Sequence, residues 1–202
     1  MDHNALVKKI MVLLIAICAL GTAACSHVWE TVSWRPEMDN SGWVQGEDKL
    51  GRFYTFQDES VSVIVREPSH ITTVSYGPTP IPIIPAFAGK DIPFDLFAEI
   101  ESPTNTTTMD FSKLRVQFSG ETLLQIKTVQ CSIGGRSFKE TTKLLVSKEK
   151  GECHLKFDSL PSEVEEVLLD LGSIEIDGRT IKLPAVKCHK MVGYRYVPYY
   201  FH

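Results

Sequence analysis

This 202-residue chain has no apolar stretch of the roughly 20 residues that a bilayer-spanning helix requires; its longest, Ile10 to Leu20, has 11. It has no run of Lys and Arg able to displace counterions from phosphates, so nucleic acid is not expected as a partner. It has no internal repeat and no low-complexity linker, which leaves one main domain as the simpler organisation. A Gly-x-Ser-x-Gly elbow, a His-Glu-x-x-His zinc helix, a Cys-His-Asn signature and a phosphate-cradling glycine loop are all missing. Those absences argue against an enzyme, and no cofactor is implied.

What the chain does have begins near its amino end. Lys8 and Lys9 precede the apolar run, and Gly21-Thr22-Ala23-Ala24 follow it, leading into Cys25. A basic flank, a short apolar core and small residues behind it are the pattern of an export signal. Small residues directly before a cysteine resemble the lipobox of bacterial lipoproteins, with Thr22 standing where leucine is usual. The resemblance covers residues 1–25 alone. It implies that residues 1–24 are removed and that Cys25 is acylated as the new amino terminus. The implied location is the bacterial cell envelope, lipid-anchored, at the outer membrane facing the periplasm. Removal of 1–24 takes Lys8, Lys9 and Asp2 with it, leaving 19 basic and 24 acidic side chains, a formal charge of −5. Three thiols then remain, Cys131, Cys153 and Cys188. In an oxidising compartment that number predicts one disulfide and one odd cysteine.

Residues 25–48 mix Trp29, Trp34 and Trp43 with proline and glycine and read as a tether, with one short strand near Val28 to Trp34. The tryptophans suit either lipid headgroups or the end of a core, and the core is favoured. From Gly51 the apolar period is two rather than 3.6. Phe53 to Phe56 and Val61 to Val65 form two strands around a polar turn. The segment Gly77 to Pro85, with four prolines, reads as an extended crossover, either packed along the domain or exposed as a ligand strip, and its isoleucines favour packing. Ile92 to Glu101 alternates Ile92, Phe94, Leu96, Ala98 and Ile100 with Asp91, Asp95, Glu99 and Glu101, giving one apolar and one acidic face. Leu114, Val116 and Phe118 alternate with Lys113, Arg115 and Gln117, so this basic strand is expected beside the acidic one. Residues 121–131, 137–146 and 152–157 read as a meander with paired glycines at its first turn. A helical turn near Pro161 to Glu165 is expected before another strand, and Asp177-Gly178 predicts a hairpin. The sum is all-β: a two-layer β-sandwich over 49–190, immunoglobulin-like in the loose sense, with at most one short helical turn. Residues 191–202 form an aromatic tail.

Two groups of residues invite chemistry. Cys153-His154 and Cys188-His189 together hold four metal-ligand types, but neighbours on a strand face opposite ways, which disfavours a shared metal. A Cys153–Cys188 disulfide is expected instead. In a regular meander Cys131 and Cys153 lie at opposite ends of an intervening strand, too far for bridged Cα atoms. The second group is Tyr194, Tyr196, Tyr199, Tyr200 and Phe201. Tyrosine is enriched at interfaces, so these residues are a candidate docking strip, with a last strand folded onto the sandwich as the equal alternative. The function expected is non-catalytic binding or scaffolding at the envelope, with the membrane and an envelope protein as partners. A loop-built envelope hydrolase and a periplasmic immunity or inhibitor lipoprotein are the alternatives.

Overall fold

Alternating side chains dominate the architecture. The structure, a computed structural model, describes residues 26–37, 42–58, 61–76, 91–136 and 138–198. Its strands are β1 (Ser26–Pro36), β2 (Val44–Asp48), β3 (Gly51–Asp58), β4 (Val61–Arg66), β5 (Ser69–Tyr76), β6 (Asp95–Glu101), β7 (Thr106–Asp110), β8 (Arg115–Phe118) and β9 (Thr122–Leu123). They continue as β10 (Ile126–Ile133), β11 (Lys139–Glu140), β12 (Lys143–Ser147), β13 (Lys150–Phe157), β14 (Glu166–Asp170), β15 (Ser173–Ile176), β16 (Arg179–Lys182) and β17 (Val186–Pro198). The helical content of the described residues is one 3-10 turn, Phe111–Lys113. By internal contacts the chain forms two units. The first holds the described residues 26–31, 71–76 and 192–198, and the second those of Val32–His70 and Gly89–Met191.

The second unit is the β-sandwich. One layer is a seven-stranded sheet in the order β11-β10-β13-β6-β4-β3-β2. The other layer consists of two sheets, β12-β7-β15-β16 and a six-stranded sheet that includes β17-β14-β8-β9. These two read as one bent layer. β7 continues through the 3-10 turn into β8, β14 through Leu171-Gly172 into β15, and β16 through 183–185 into β17. At the corner the Leu183 N–H donates to the Gly172 carbonyl at 2.9 Å, and the Asp170 carboxylate accepts from the Gly172 N–H at 2.9 Å.

The layers meet over inward residues set by the period of two. Val61, Val63 and Val65 of β4 and Leu96, Ala98 and Ile100 of β6 are buried, as are Val116, Val167, Leu169 and Cys188 opposite them. Trp34 and Phe94 meet edge-on with centroids 6.0 Å apart, and Phe94 meets Phe157 likewise at 5.5 Å. Gly151 of β13 lies directly under β12. A Cβ there would come within 2.6 Å of Val146 and 2.8 Å of Leu144, so only glycine lets the layers close at this point.

Several expectations hold. β3 and β4 form the hairpin read from residues 53–65, Asp177-Gly178 joins β15 to β16, and Trp34 and Trp43 are core residues. The helical turn expected near Pro161 to Glu165 is instead a plain turn, closed by a single bond from the Val164 N–H to the Pro161 carbonyl. The Gly77 to Pro85 segment lies outside the described residues.

Other expectations are corrected. Residues 25–48 are not merely a tether, because Ser26–Pro36 is a full strand, Val44–Asp48 is a sheet edge, and Val32, Trp34 and Trp43 fill the core. The basic strand does not lie beside the acidic one: β6 pairs with β4 and β13, whereas β8 pairs with β14 and β9. The meander is broken at Thr141. Lys139 and Glu140 stay on β10, while Lys143–Ser147 crosses to pair with β7 in the other layer. That crossing removes the supposed intervening strand. β10 and β13 are therefore direct neighbours, and Cys131 stands opposite Cys153 in their ladder. The disulfide is Cys131–Cys153, with Cα atoms 4.1 Å apart, and not Cys153–Cys188. Cys188 is a free, buried thiol.

Candidate functional site

The outward residues of the seven-stranded sheet bring a mixed group of side chains together. On β4, β6 and β13 the same alternation that buries valine and leucine turns Arg66, then Asp95, Phe97 and Glu99, then Lys150, Glu152 and His154 to the outside. Glu99 sits at the centre and is only 8% exposed. Its Oε1 accepts from Arg66 Nε at 3.0 Å, with Arg66 Nη2 also at 3.0 Å. Its Oε2 meets Lys150 Nζ at 2.7 Å. A carboxylate this enclosed is costly when unpaired, and two cations offset that cost. Arg66 Nη1 reaches both oxygens of Asp48 at 3.1 and 3.0 Å, and Lys150 reaches Glu152 at 3.2 Å.

The electrostatics follow from these contacts. The hydrogen bond to Glu99 holds the Lys150 ammonium above its ordinary pKa, against partial burial. Burial pulls Arg66 down, but Asp48 and Glu99 together outweigh it and leave the guanidinium raised. Asp48 is lowered, first by the Leu50 backbone N–H at 2.8 Å and then by Arg66. Both cations and Asp48 are thus fixed in their charged forms.

Beside this network stand the aromatic groups. Phe97 is the cross-strand partner of His154, and the two rings stack with centroids 4.2 Å apart at an interplanar angle of 11°. Phe97 nevertheless stays 42% exposed. His154 Nε2 lies 3.6 Å from Asp95 Oδ2, too far for a hydrogen bond. The Arg66 guanidinium lies 5.9 Å from the centroid of Phe53. The Phe53 ring crosses Gly46 on the neighbouring strand, where a Cβ would meet it at 2.4 Å. Leu50, on the β2–β3 turn, and Phe97 border a depression of about 500 Å³. Its lining includes the cations Arg66 and Lys150 and the carboxylates Asp95 and Glu152. Among the described residues no three His, Cys, Asp or Glu side chains are arranged to hold a metal ion.

The residues singled out in the sequence fare differently. Cys25, Tyr199, Tyr200 and Phe201 lie outside the described residues, and Tyr196 lies in β17. Tyr194, in the first unit, is exposed, and its hydroxyl donates to Glu30 Oε1 at 3.2 Å. In the same unit Arg195 lies 5.8 Å over the Trp29 ring. Cys188 is sealed in the core, and burial pushes its thiol up to about 12, with Glu67 adding to the effect. The depression itself was missed in the sequence. Its one signal was Phe97, an aromatic residue placed among the acids on the polar face of an otherwise regular alternation.

No family model matches this chain, and no curated protein matches it either. Among solved structures it is similar to the collagen adhesin (CNA) from S. aureus. The two are 9% identical over 86% of this chain and 84% of that one, with a TM-score of 0.31. At that score the likeness carries nothing about function, and the β-sandwich stands on its own sheets.

Proposed function

We propose that this protein is an exported lipoprotein of the bacterial cell envelope, anchored through an acylated Cys25 at the outer membrane facing the periplasm. There its β-sandwich binds a partner without catalysis. The observation that carries the reading is the Cys131–Cys153 disulfide. Such bonds persist in oxidising compartments and are rare in the cytosol, which agrees with the export pattern of Lys8 to Cys25. The non-catalytic part draws support from the outer sheet face. A general acid or base needs a pKa near the working pH, whereas Lys150 and Arg66 are both pushed further from neutrality by their ion pairs.

Intact-mass and peptide spectrometry of the membrane fraction tests the anchor. The expected result is a mature chain that begins at an acylated Cys25, and Cys25→Ala shifts the protein out of that form. Recovery of unmodified Cys25 with residues 1–24 still attached rules the reading out.

A further inference from the structure

We infer that the depression beside Phe97 is a saccharide site that takes a ring of a neutral glycan. This rests on the reading of the protein as a binder, and it adds the ligand class and the place. One face of the Phe97 ring is taken by His154, yet the ring remains 42% exposed and lines the depression. An aromatic face carries partial negative charge, and the C–H face of a pyranose packs on such a surface.

Around the ring the polar groups are of both kinds. Arg66 and Lys150 only donate, and Asp95 and Glu152 only accept. A hydroxyl does both, so a polyol can use whichever of these donors and acceptors the ion pairs leave open. The ion pairs centred on Glu99 already hold Arg66 and Lys150 in place, which reduces the ordering cost of binding. A volume of about 500 Å³ falls in the range of small-ligand sites.

Other ligand classes fit less well. The depression is lined by two cations and four carboxylates, Glu67, Asp95, Glu99 and Glu152, a formal −2 that repels a polyanion. An amphipathic peptide helix needs a continuous apolar stripe, and Leu50 and Phe97 are the only large apolar side chains lining it.

The test uses the full chain in detergent, retained on insoluble cellulose and chitin, with soluble cellotetraose and chitotetraose as competitors. Retention on one of the two is expected, with release by the matching tetrasaccharide. It should survive about 0.5 M NaCl, where ionic attraction is screened within a few ångströms. Phe97→Ala lowers retention about tenfold or more, equivalent to losing roughly 1.4 kcal/mol. Phe97→Leu, which keeps apolar bulk but no π-face, does the same with an unchanged melting curve. Leu168→Ala, on the outside of the opposite layer, leaves retention intact. Absence of retention on both polysaccharides overturns the saccharide site. If Cys25 is acylated at the same time, the anchor reading still stands. Retention that persists in Phe97→Leu also overturns it, as does a face that captures a protein but neither saccharide.

Discussion

The chain carries the dipeptide Cys-His twice, and the two copies have opposite fates. Cys153-His154 and Cys188-His189 both lie on strands, both bury the cysteine, and both turn the histidine outward. Cys153 faces Cys131 across the β10–β13 ladder and is bridged to it. Cys188 faces Val167 of β14 and keeps its proton in the core. On the outside, His154 stacks on Phe97. His189 instead lies between carboxylates, with Nε2 3.4 Å from Glu37 and Nδ1 3.2 Å from Glu166. A dipeptide on a strand therefore fixes which face each side chain takes. The neighbouring strand decides what it does there.

The comparison breaks most easily at the bridge. Cys131→Ser or Cys153→Ser should cost about 3 kcal/mol, within the usual range for a disulfide closing a loop of this size. Urea unfolding with and without reductant measures it. An equal loss in Cys188→Ser with the bridge intact would show that the two cysteines are not energetically distinct.

A smaller effect is expected at the free thiol. Cys188→Ala removes a small buried group and should cost about 1 kcal/mol. Because burial raises its pKa to about 12, Cys188 should resist iodoacetamide at pH 8 in the folded protein and react readily in urea. Peptide mapping of labelled Cys188 reads this directly, and fast labelling of the native chain would contradict its burial.

The smallest effect concerns the outward ends. The Lys187 hydrogen bond holds the Glu166 carboxyl below its ordinary 4.5. Its contribution to stability is therefore fully present above pH 4.5 and is lost as the pH falls through the lower folded value. Lys187 is the mirror case, raised above 10.5 by the same bond, so its contribution is present below 10.5 and fades as the pH rises through the folded value. Glu166→Gln should flatten the acid limb of the stability curve slightly and leave the midpoint at pH 7 nearly unchanged. A steep acid limb that survives in Glu166→Gln would place the titrating group elsewhere, with Asp110, lowered by its Ser112 hydrogen bond, as the next to examine.

What could be read from residues alone follows the same division. Alternation gave the faces of β6 and β8 correctly, since burial of every second side chain is a local property. Pairing is not local. Nothing in Lys139 to Val146 distinguishes one strand from two, because Leu144 and Val146 keep the alternation while the chain crosses between layers. The Thr141 hydroxyl, which donates to the Lys143 carbonyl and accepts from the Lys143 N–H, marks the break. A threonine is too common in strands to announce it. The expected Cys153–Cys188 disulfide failed at this crossing, which makes β10 and β13 direct neighbours. The candidate site shares the difficulty: Arg66, Phe97 and His154 lie on three strands far apart in sequence, and the ladder is what assembles them.

The disulfide also has a mechanical consequence. It joins residues 22 apart in sequence, and the segment between them includes the whole excursion through β11 and β12 into the opposite layer. Under tension applied to the chain ends, that excursion is bypassed. About 75 Å of contour, at ~3.4 Å per residue, stays locked away even after the sheets have parted. Force passes from β10 to β13 through two sulfur atoms, and the crossing strand carries none of it until the bond is reduced.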